Sequence, residues 1–264
     1  MTVPRDILAE TPALSQWGIL GGYRGSVAHG MYIAPKDPLS IDDKDVMYFC
    51  VPPIRYYTGL KQFGSHGTLE IKRAEWDIVV YEARKAISLL AQGNPNVLCM
   101  LWLSDKHRLC ITGAGSLLLS RRDLFIAKHV YHSFVGYAKG QLHRMTHGAH
   151  EGYMGEKRKA LVAQFGYDTK NAAHLVRLLR MGIEFLTDGV LRIEREDASE
   201  LLDIKRGHWT LEKVKEESDR LFALAQEAFV RSPLPAEPDR EAINLLCQQV
   251  VAWAWQERLE SDIQ

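Results

Sequence analysis

WGILGGYRGSVAHG, at residues 17–30, is a strand-like run that ends in a glycine and a serine and continues into small residues. A second stretch, DDKDVMYFCVPP at residues 42–53, places acidic residues directly before an apolar run. A third, AEWDIVVYEARKA at residues 74–86, carries an acid among β-branched residues. Runs of this kind, separated by glycine, proline and polar turns, are typical of strands. The three stretches therefore predict a small mixed sheet in the first part of the chain.

The composition is that of an ordinary globular protein. Of 264 residues, 46% are hydrophobic and 25% are charged, and this length suits one large domain or two modest ones. No apolar run approaches the roughly 20 residues that span a bilayer, and the polar start lacks the layout of a secretory signal. We therefore expect a cytoplasmic protein with no membrane partner. The formal net charge of zero means that a polyanion would have to be held by local basic patches.

Cysteine and histidine spacing gives no sign of a zinc site. The four cysteines are scattered without a CxxC pair, which predicts reduced and mostly buried thiols. His143, His147 and His150 lack the central glutamate of a zinc-protease helix. We interpret these histidines as surface or capping residues.

The second half of the chain favours helices, because apolar residues recur there at three- and four-residue spacing. A shorter helix is expected after Tyr81 and is ended by Gly93-Asn94-Pro95. The small and polar residues of 111–123 mark the expected boundary between a core at 1–115 and a helical domain at 120–264. The helices are expected near 124–147, 154–165, 168–188, 210–231 and 238–259.

Asp43 and Asp45 stand two residues apart at the start of an apolar run. Side chains at i and i+2 of a strand point to the same face, so two carboxylates are aimed together. They repel each other unless a cation lies between them, and Mg²⁺ prefers carboxylate oxygens. The pair is a candidate metal site, and the alternative is a pair of solvated turn residues. Strand alternation should turn the neighbouring Asp42 away, as a spectator.

Gly25 and Ser26 form a candidate phosphate-binding turn. Glycine lets the backbone approach an anion closely, and a hydroxyl can donate to phosphate. The alternative is an ordinary turn. Asp77 is the third candidate, because aspartate is disfavoured in strands and a metal ligand or catalytic base would account for it. An acid on an edge strand is the alternative, and Glu75, expected on the same strand face, could assist or replace Asp77.

Taken together, these residues resemble a known family. GSxAxG at 25–30, a DxD before a strand that ends in Val51-Pro52-Pro53, EWDIVVYEARK and GNPN follow one another as in the RNA-repair-associated nucleotidyltransferase family of the polymerase-beta superfamily. Weaker similarity continues in KNAAHLVRLLRMGIEFLTDG, LLDIKRGHWT and SPLPAEPDREAIN. The resemblance implies an α+β fold with a polymerase-beta-type nucleotidyltransferase core, a small mixed sheet with flanking helices, followed by an α-helical C-terminal domain.

The resemblance also implies roles. Gly25 and Ser26 would hold a triphosphate, and Asp43, Asp45 and Asp77 would be the catalytic and metal-binding triad. Mg²⁺, or Mn²⁺, would be the cofactor and a nucleoside triphosphate the substrate. Two departures, Met47-Tyr48 where the family often has Arg-Gly and Cys99 where it commonly has an acid, leave the preferred nucleotide open.

Lys170, His174 and Arg177 fall at i, i+4 and i+7 of an expected helix and match a recurrent pattern of the resembling family. They are candidate nucleotide-binding residues, and the alternative is a solvated or ion-paired face. Basic residues at 156–160 are more typical of a solvated surface. In DIKRGHW, Lys205 and Arg206 combine charge with the stacking surface of Trp209.

The sequence thus predicts transfer of a nucleoside monophosphate from a nucleoside triphosphate to an acceptor hydroxyl, with pyrophosphate released. The expected acceptor is the end of an RNA, such as a tRNA or a damaged RNA end. Transfer to a protein hydroxyl uses the same acids and stays open, as does an inactive nucleotide-binding regulatory module. A purely helical scaffold would give no reason for acids in strands beside a Gly-Ser turn. The oligomeric state stays open.

Overall fold

The computed structural model describes residues 2–40, 42–147 and 156–261. A five-stranded sheet occupies the first part of the chain. Its strands are β1 (Gly18–Tyr23), β2 (Lys44–Cys50), β3 (Thr68–Arg73), β4 (Trp76–Glu82) and β5 (Arg108–Ile111). They lie in the order β3-β4-β2-β1-β5. β2 and β4 run parallel, whereas the other neighbours are antiparallel.

Helices flank the sheet and form the rest of the chain. Those of the first part are α1 (Arg5–Glu10), α2 (Pro12–Ser15), α3 (Gly25–Ala28), α4 (Arg55–Thr58), α5 (Ala83–Ala91), α6 (Pro95–Leu98) and α7 (Gly113–Ser120). Those that follow are α8 (Val130–His147), α9 (Glu156–Phe165), α10 (Thr169–Asp188), α11 (Ala198–Lys205), α12 (Leu211–Arg231) and α13 (Arg240–Ser261). Short 3-10 helices cover Cys99–Trp102, Asp105–His107 and Arg122–Phe125. Across the described ranges, no helix combines the length and the hydropathy needed to cross a membrane.

The expected α+β architecture is confirmed: a mixed sheet with flanking helices precedes a helical part. One cluster of buried apolar side chains runs from the sheet into the helices, with Phe49 of β2 and Phe185 of α10 fully enclosed. The division into domains at 1–115 and 120–264 stays a prediction.

The long helices begin where local chemistry favours a cap. The side chain of Asp168 accepts from the backbone N–H of Asn171 at the start of α10, and Gly189 ends that helix with φ +69°. Thr210 caps α12, and Glu212 stands in its first turn. The helices expected at 168–188, 210–231 and 238–259 are therefore confirmed to within two residues.

Two helices differ from expectation because tertiary contacts override local pattern. α8 begins at Val130 instead of near 124, since the N–H of Lys128 bonds to the carbonyl of Pro235 and His129 bonds to that of Ala91. The short helix α11 was not expected. The start of the helix expected at 154–165 lies outside the described residues, and α9 covers the remainder.

α13 returns to the far end of β2. Trp255 Nε1 donates to the carbonyl of Pro52 at 3.1 Å, and Arg258 Nη2 donates to that of Val51 at 2.6 Å. Glu257 accepts from the N–H of Gly113 at 2.8 Å, so the same helix also caps α7. The last described helix therefore provides hydrogen-bond partners for backbone groups just after β2 and at the start of α7.

Asp42 is not a spectator, as the sequence suggested, but the centre of a buried ion-pair cluster. Its carboxylate accepts from Lys205 Nζ of α11 and from the N–H of Ile33, and Lys170 Nζ of α10 lies 3.4 Å away. Lys205 also donates to the carbonyl of Met31 at 3.0 Å. Asp42 lies before β2, so strand alternation does not apply to it, and its carboxylate is directed towards α10 and α11. The cluster ties the segment before β2 to α10 and α11.

Asp42→Ala is expected to lower the free energy of unfolding by about 3–5 kcal/mol, because removal of one partner leaves the buried Lys205 charge uncompensated. Urea denaturation measures this change. The matched double variant Asp42→Ala/Lys205→Met removes both charges and should recover part of the stability. Equal decreases in the single and double variants would contradict the assignment.

Candidate active site

Strand register places four charged side chains in one row across the sheet. Asp45 of β2 is directly opposite Asp77 of β4, and Lys72 of β3 is opposite Asp77 on the other side. The N–H of Arg24, just after β1, bonds to the carbonyl of Asp45 at 2.9 Å and continues the row. Because paired residues of neighbouring strands face the same side, the order across this face is Arg24, Asp45, Asp77, Lys72.

The two carboxylates share one cation. Arg24 Nη2 lies 3.7 Å from Asp45 Oδ1 and 3.7 Å from Asp77 Oδ1. Both carboxylates are about a quarter exposed, at 26% and 27%, so solvent reaches them. Like charges this close repel unless a cation lies between them, which is the position that Arg24 takes.

The electrostatics of Asp45 follow from this position. Burial raises the pKa of its carboxyl, and the neighbouring carboxylates of Asp77 and Asp43 raise it further, whereas Arg24 and Lys170 lower it. The cations therefore favour the ionised form that burial opposes. A positively charged group next to Asp45 is therefore stabilising.

Asp43 stands apart from the other two acids. It precedes β2 and is exposed, and its contact with the pair is electrostatic. Across the described parts of the chain, no three side chains of His, Cys, Asp or Glu form a group ready to hold a metal ion. The structure thus brings Asp45 and Asp77 together and leaves Asp43 at their edge.

Glu75 does not join the pair, and its expected place on the strand face of Asp77 is wrong. The turn between β3 and β4 contains Ala74 with φ +47° and Glu75, so β4 begins only at Trp76. Glu75 pairs with Lys44 Nζ at 2.8 Å on the outside of the sheet. The turn therefore takes Glu75 out of the strand alternation.

Gly25 is required by both its backbone and its space. Its φ is +60°, a conformation that strains residues with a side chain, and an added Cβ would stand 2.4 Å from Asp45 Oδ2. The backbone therefore passes directly over the carboxylate. Ser26, the next residue, is buried, and its Oγ has no hydrogen-bond partner. A buried unpaired hydroxyl is costly, so a ligand atom that accepts from it would remove a penalty.

The three candidate residues of α10 lie at different depths. Lys170 is nearest the acids, since it contacts Asp42 and lowers the pKa of Asp45. Burial, followed by the charges of Arg177 and Lys170, lowers the pKa of His174 well below its usual range. Arg177 is buried, and no carboxylate of the described residues forms an ion pair with it; burial lowers its pKa to about 10.

His29, which sequence reasoning missed, connects α3 to this helix. Its Nδ1 lies 2.7 Å from the carbonyl of Ile193, which can only accept, so Nδ1 carries the proton. Its Nε2 therefore accepts from Arg177 Nη1 at 2.8 Å. Burial, aided by Arg177, lowers the pKa of His29 well below its usual range. The turn that follows Ser26 is thus joined to α10 through a neutral imidazole.

Signals for the missed residues were present in the sequence. His29 stands three residues after Ser26, within one helical turn, and Arg24 directly precedes Gly25. Cys99, which replaces the acid of the resembling family, is a buried thiol whose pKa burial raises to about 11, and its Sγ donates to the carbonyl of Pro95.

The other basic candidates are engaged elsewhere. Arg158 pairs with Asp168 at 2.7 Å and Lys159 with Glu156 at 3.2 Å. Trp209 is only 9% exposed, so its expected role as a stacking surface is wrong. Arg206 pairs with Asp37, and His143 is exposed on α8. The side chain of His147 and all of His150 lie outside the described residues.

Gly25→Ala is expected to cost more stability than Gly30→Ala. Gly30 has a similar φ of +73°, but an added Cβ there meets only Ala198 Cβ at 3.5 Å. Both variants carry a left-handed strain of about 1–2 kcal/mol, whereas Gly25→Ala alone displaces Asp45. Denaturation of both variants measures the difference, and equal losses of stability would contradict the close approach of Gly25 to Asp45.

Stability should fall as the pH drops below about 6.5, the usual pKa of histidine. His29 and His174 have lowered pKa values in the fold, so below this pH the unfolded chain binds protons that the folded chain does not. The decrease is at most about 1.4 kcal/mol per pH unit for each histidine. Urea denaturation at pH 7.5 and 5.5 measures it. His29→Gln should reduce the pH dependence, and an unchanged slope in this variant would count against the neutral imidazole.

Comparison with known proteins identifies the family of the chain. No curated protein matches the sequence closely enough to add a more specific function. The profile of one family, described as the RNA repair pathway DNA polymerase beta family, matches residues 20–249, which include the acid pair, the Gly-Ser turn and most of the helical part. The chain therefore belongs to the RNA repair pathway DNA polymerase beta family.

Proposed function

We propose that the protein is a metal-dependent nucleotidyltransferase that moves a nucleoside monophosphate from a nucleoside triphosphate to a hydroxyl at an RNA end. The observation that carries this proposal is the pairing of Asp45 with Asp77 beneath the backbone of Gly25. Membership of an RNA repair pathway family supports RNA as the acceptor. A protein hydroxyl is the alternative acceptor.

The donor set fits a divalent cation. Carboxylate oxygens are the ligands that Mg²⁺ and Mn²⁺ prefer, and the pair already accommodates a positive group at 3.7 Å from each acid. Asp45 and Asp77 would hold the metal, and Asp43, exposed beside them, could turn towards it. When bound, the metal would neutralise charge on the transferred phosphate and favour the ionised acceptor hydroxyl.

The triphosphate would lie on the β1 side of the pair. Gly25 provides close backbone approach, and the unpaired Oγ of Ser26 provides a donor. Lys170 adds positive charge next to Asp45. Arg177 and His174 stand behind this row in α10, and the buried charge of Arg177 would stabilise an anion held in front of it.

Transfer needs mainly positioning and charge neutralisation. The acceptor oxygen forms a bond to the α-phosphorus while the bond to the β-phosphate oxygen breaks, and pyrophosphate leaves with that electron pair. Asp77, on the far side of Asp45 from the triphosphate, would orient the acceptor hydroxyl and take its proton. The guanidinium of Arg24, 3.7 Å from each carboxylate, would offset the repulsion between the two acids before the substrates bind.

Asp45→Asn and Asp77→Asn are each expected to reduce transfer by more than about 100-fold, because each removes negative charge needed by the metal. Glu75→Gln is the matched control, since Glu75 lies two residues from Asp77 but pairs with Lys44 outside the site. The assay uses each α-labelled nucleoside triphosphate with Mg²⁺ or Mn²⁺ and total tRNA.

The destination of the label distinguishes the alternatives. Label that appears on RNA with the wild type and is absent with both asparagine variants supports the proposal. Label on the protein fraction favours a protein acceptor instead. Absence of transfer with every nucleotide and with both metals would favour an inactive nucleotide-binding module.

A further inference from the structure

The order of the strands gives the site a direction. The Gly25–Ser26 turn follows β1, Asp45 lies on β2 and Asp77 on β4. If the proposed function holds, the triphosphate lies at the β1 end of this row. The acceptor must then approach from the opposite end, over β4 and the edge strand β3.

A groove of about 630 Å³ opens on that side, within the size range of small-molecule sites. Its lining combines hydroxyls, an amide, an aromatic ring and charges. These polar and aromatic residues are Ser65, Thr68, Glu70, Tyr81, Lys85 and Asn94. A mixed polar and aromatic lining of this kind suits a nucleotide better than an apolar peptide.

Tyr81 connects the groove to the acids. It stands four residues beyond Asp77 on β4, about 13 Å along the same strand face, and directly opposite Thr68 of β3. Burial raises the pKa of its hydroxyl, Arg24 lowers it and Tyr137 raises it. The ring of Tyr81 therefore lines the groove on the same strand that carries Asp77.

A second tyrosine borders the same region. Tyr137 of α8 is 36% exposed, and its hydroxyl accepts from Asn94 Nδ2 at 2.8 Å. Asn94 also lines the groove and caps α6. Tyr137 is thus held at the edge of the groove with part of its ring open to solvent, where an unpaired base could stack on it.

Two lysine side chains lie in the same region of the surface. Lys72 is exposed and stands beside Asp77 in the row, and Lys85 lines the groove. Glu70 of β3 is the only acid among the described residues that line the groove. Two lysines separated along an aromatic surface match the spaced phosphates and splayed bases of a single RNA strand.

We propose that the surface from Lys72 past Tyr81 to the groove at Lys85 binds the single-stranded end of the acceptor RNA and leads its terminal hydroxyl to Asp77. Lys72 and Lys85 contact phosphates, and a base stacks on Tyr81. The inference rests on the proposed function for the direction of the reaction, but RNA binding in the groove can be measured without any nucleotide.

The experiment measures binding of a fluorescein-labelled ten-nucleotide single-stranded RNA by anisotropy, as a function of salt and without nucleoside triphosphate. Lys72→Glu/Lys85→Glu is expected to raise Kd at least about tenfold and to reduce the log–log salt slope by about 0.7 for each phosphate that the variant no longer neutralises. Lys215→Glu/Arg231→Glu, the same charge change on exposed positions of α12, should leave both quantities near those of the wild type.

Tyr81 tests the stacking interaction separately. Tyr81→Leu is expected to weaken RNA binding by about fivefold or more, and Tyr81→Phe should restore it, because the ring and not the hydroxyl stacks. In the transfer assay the lysine variant should raise KM for RNA and leave KM for the nucleoside triphosphate unchanged.

Two results would overturn the groove: wild-type RNA affinity in Lys72→Glu/Lys85→Glu, or an equally weakened affinity in the α12 control. Wild-type protein that binds no single-stranded RNA would overturn it as well. Lysine-dependent RNA binding without transfer in the wild type would instead sink the proposed function and support the groove.

Discussion

The parallel pairing of β2 with β4 is the constraint on which the rest of the site depends. It sets Asp45 opposite Asp77 at strand spacing, where two carboxylates repel each other unless a cation is near. Three neighbouring features accommodate this pair of acids. Arg24 lies between the acids, Lys170 comes from α10, and the backbone of Gly25 passes over Asp45 without a side chain.

The helical part contributes charge to the sheet as well as shape. Lys205 and Lys170 neutralise the buried Asp42, and Arg177 reaches α3 through His29. Buried polar networks are costly when incomplete, so these contacts hold the helices in one position relative to the acids. The position of α10 and α11 against the sheet is therefore fixed by ion pairs and one imidazole in addition to apolar packing.

Much of this was predictable from sequence. An aspartate inside a β-branched run and a run that ends in glycine and serine indicated the strands, whereas the i, i+2 argument for Asp43 fails because β2 begins at Lys44. Apolar residues at three- and four-residue spacing indicated the long helices. These patterns involve residues that are close together in the sequence, so a single sequence is enough to recognise them.

The errors arose where non-local contacts decide. The residues around Asp42 do not indicate its contact with Lys205, which is 163 positions away in the sequence. The residues around Arg24 do not indicate that its guanidinium lies close to both Asp45 and Asp77. The burial of Trp209 and the departure of Glu75 from its strand depend on how α12 and the β3–β4 turn are placed. Sequence patterns indicate which face of a helix or strand is apolar or charged, but they do not indicate which other element that face contacts.

The contact of α13 with the end of β2 has a consequence for biosynthesis. Its two hydrogen bonds join positions 203 and 207 residues apart. At about 5–20 residues per second, a ribosome needs about 10–40 s to make the intervening chain. Until then the carbonyls of Val51 and Pro52 are open to water, so the segment that follows β2 gains these two partners only late in the emergence of the chain.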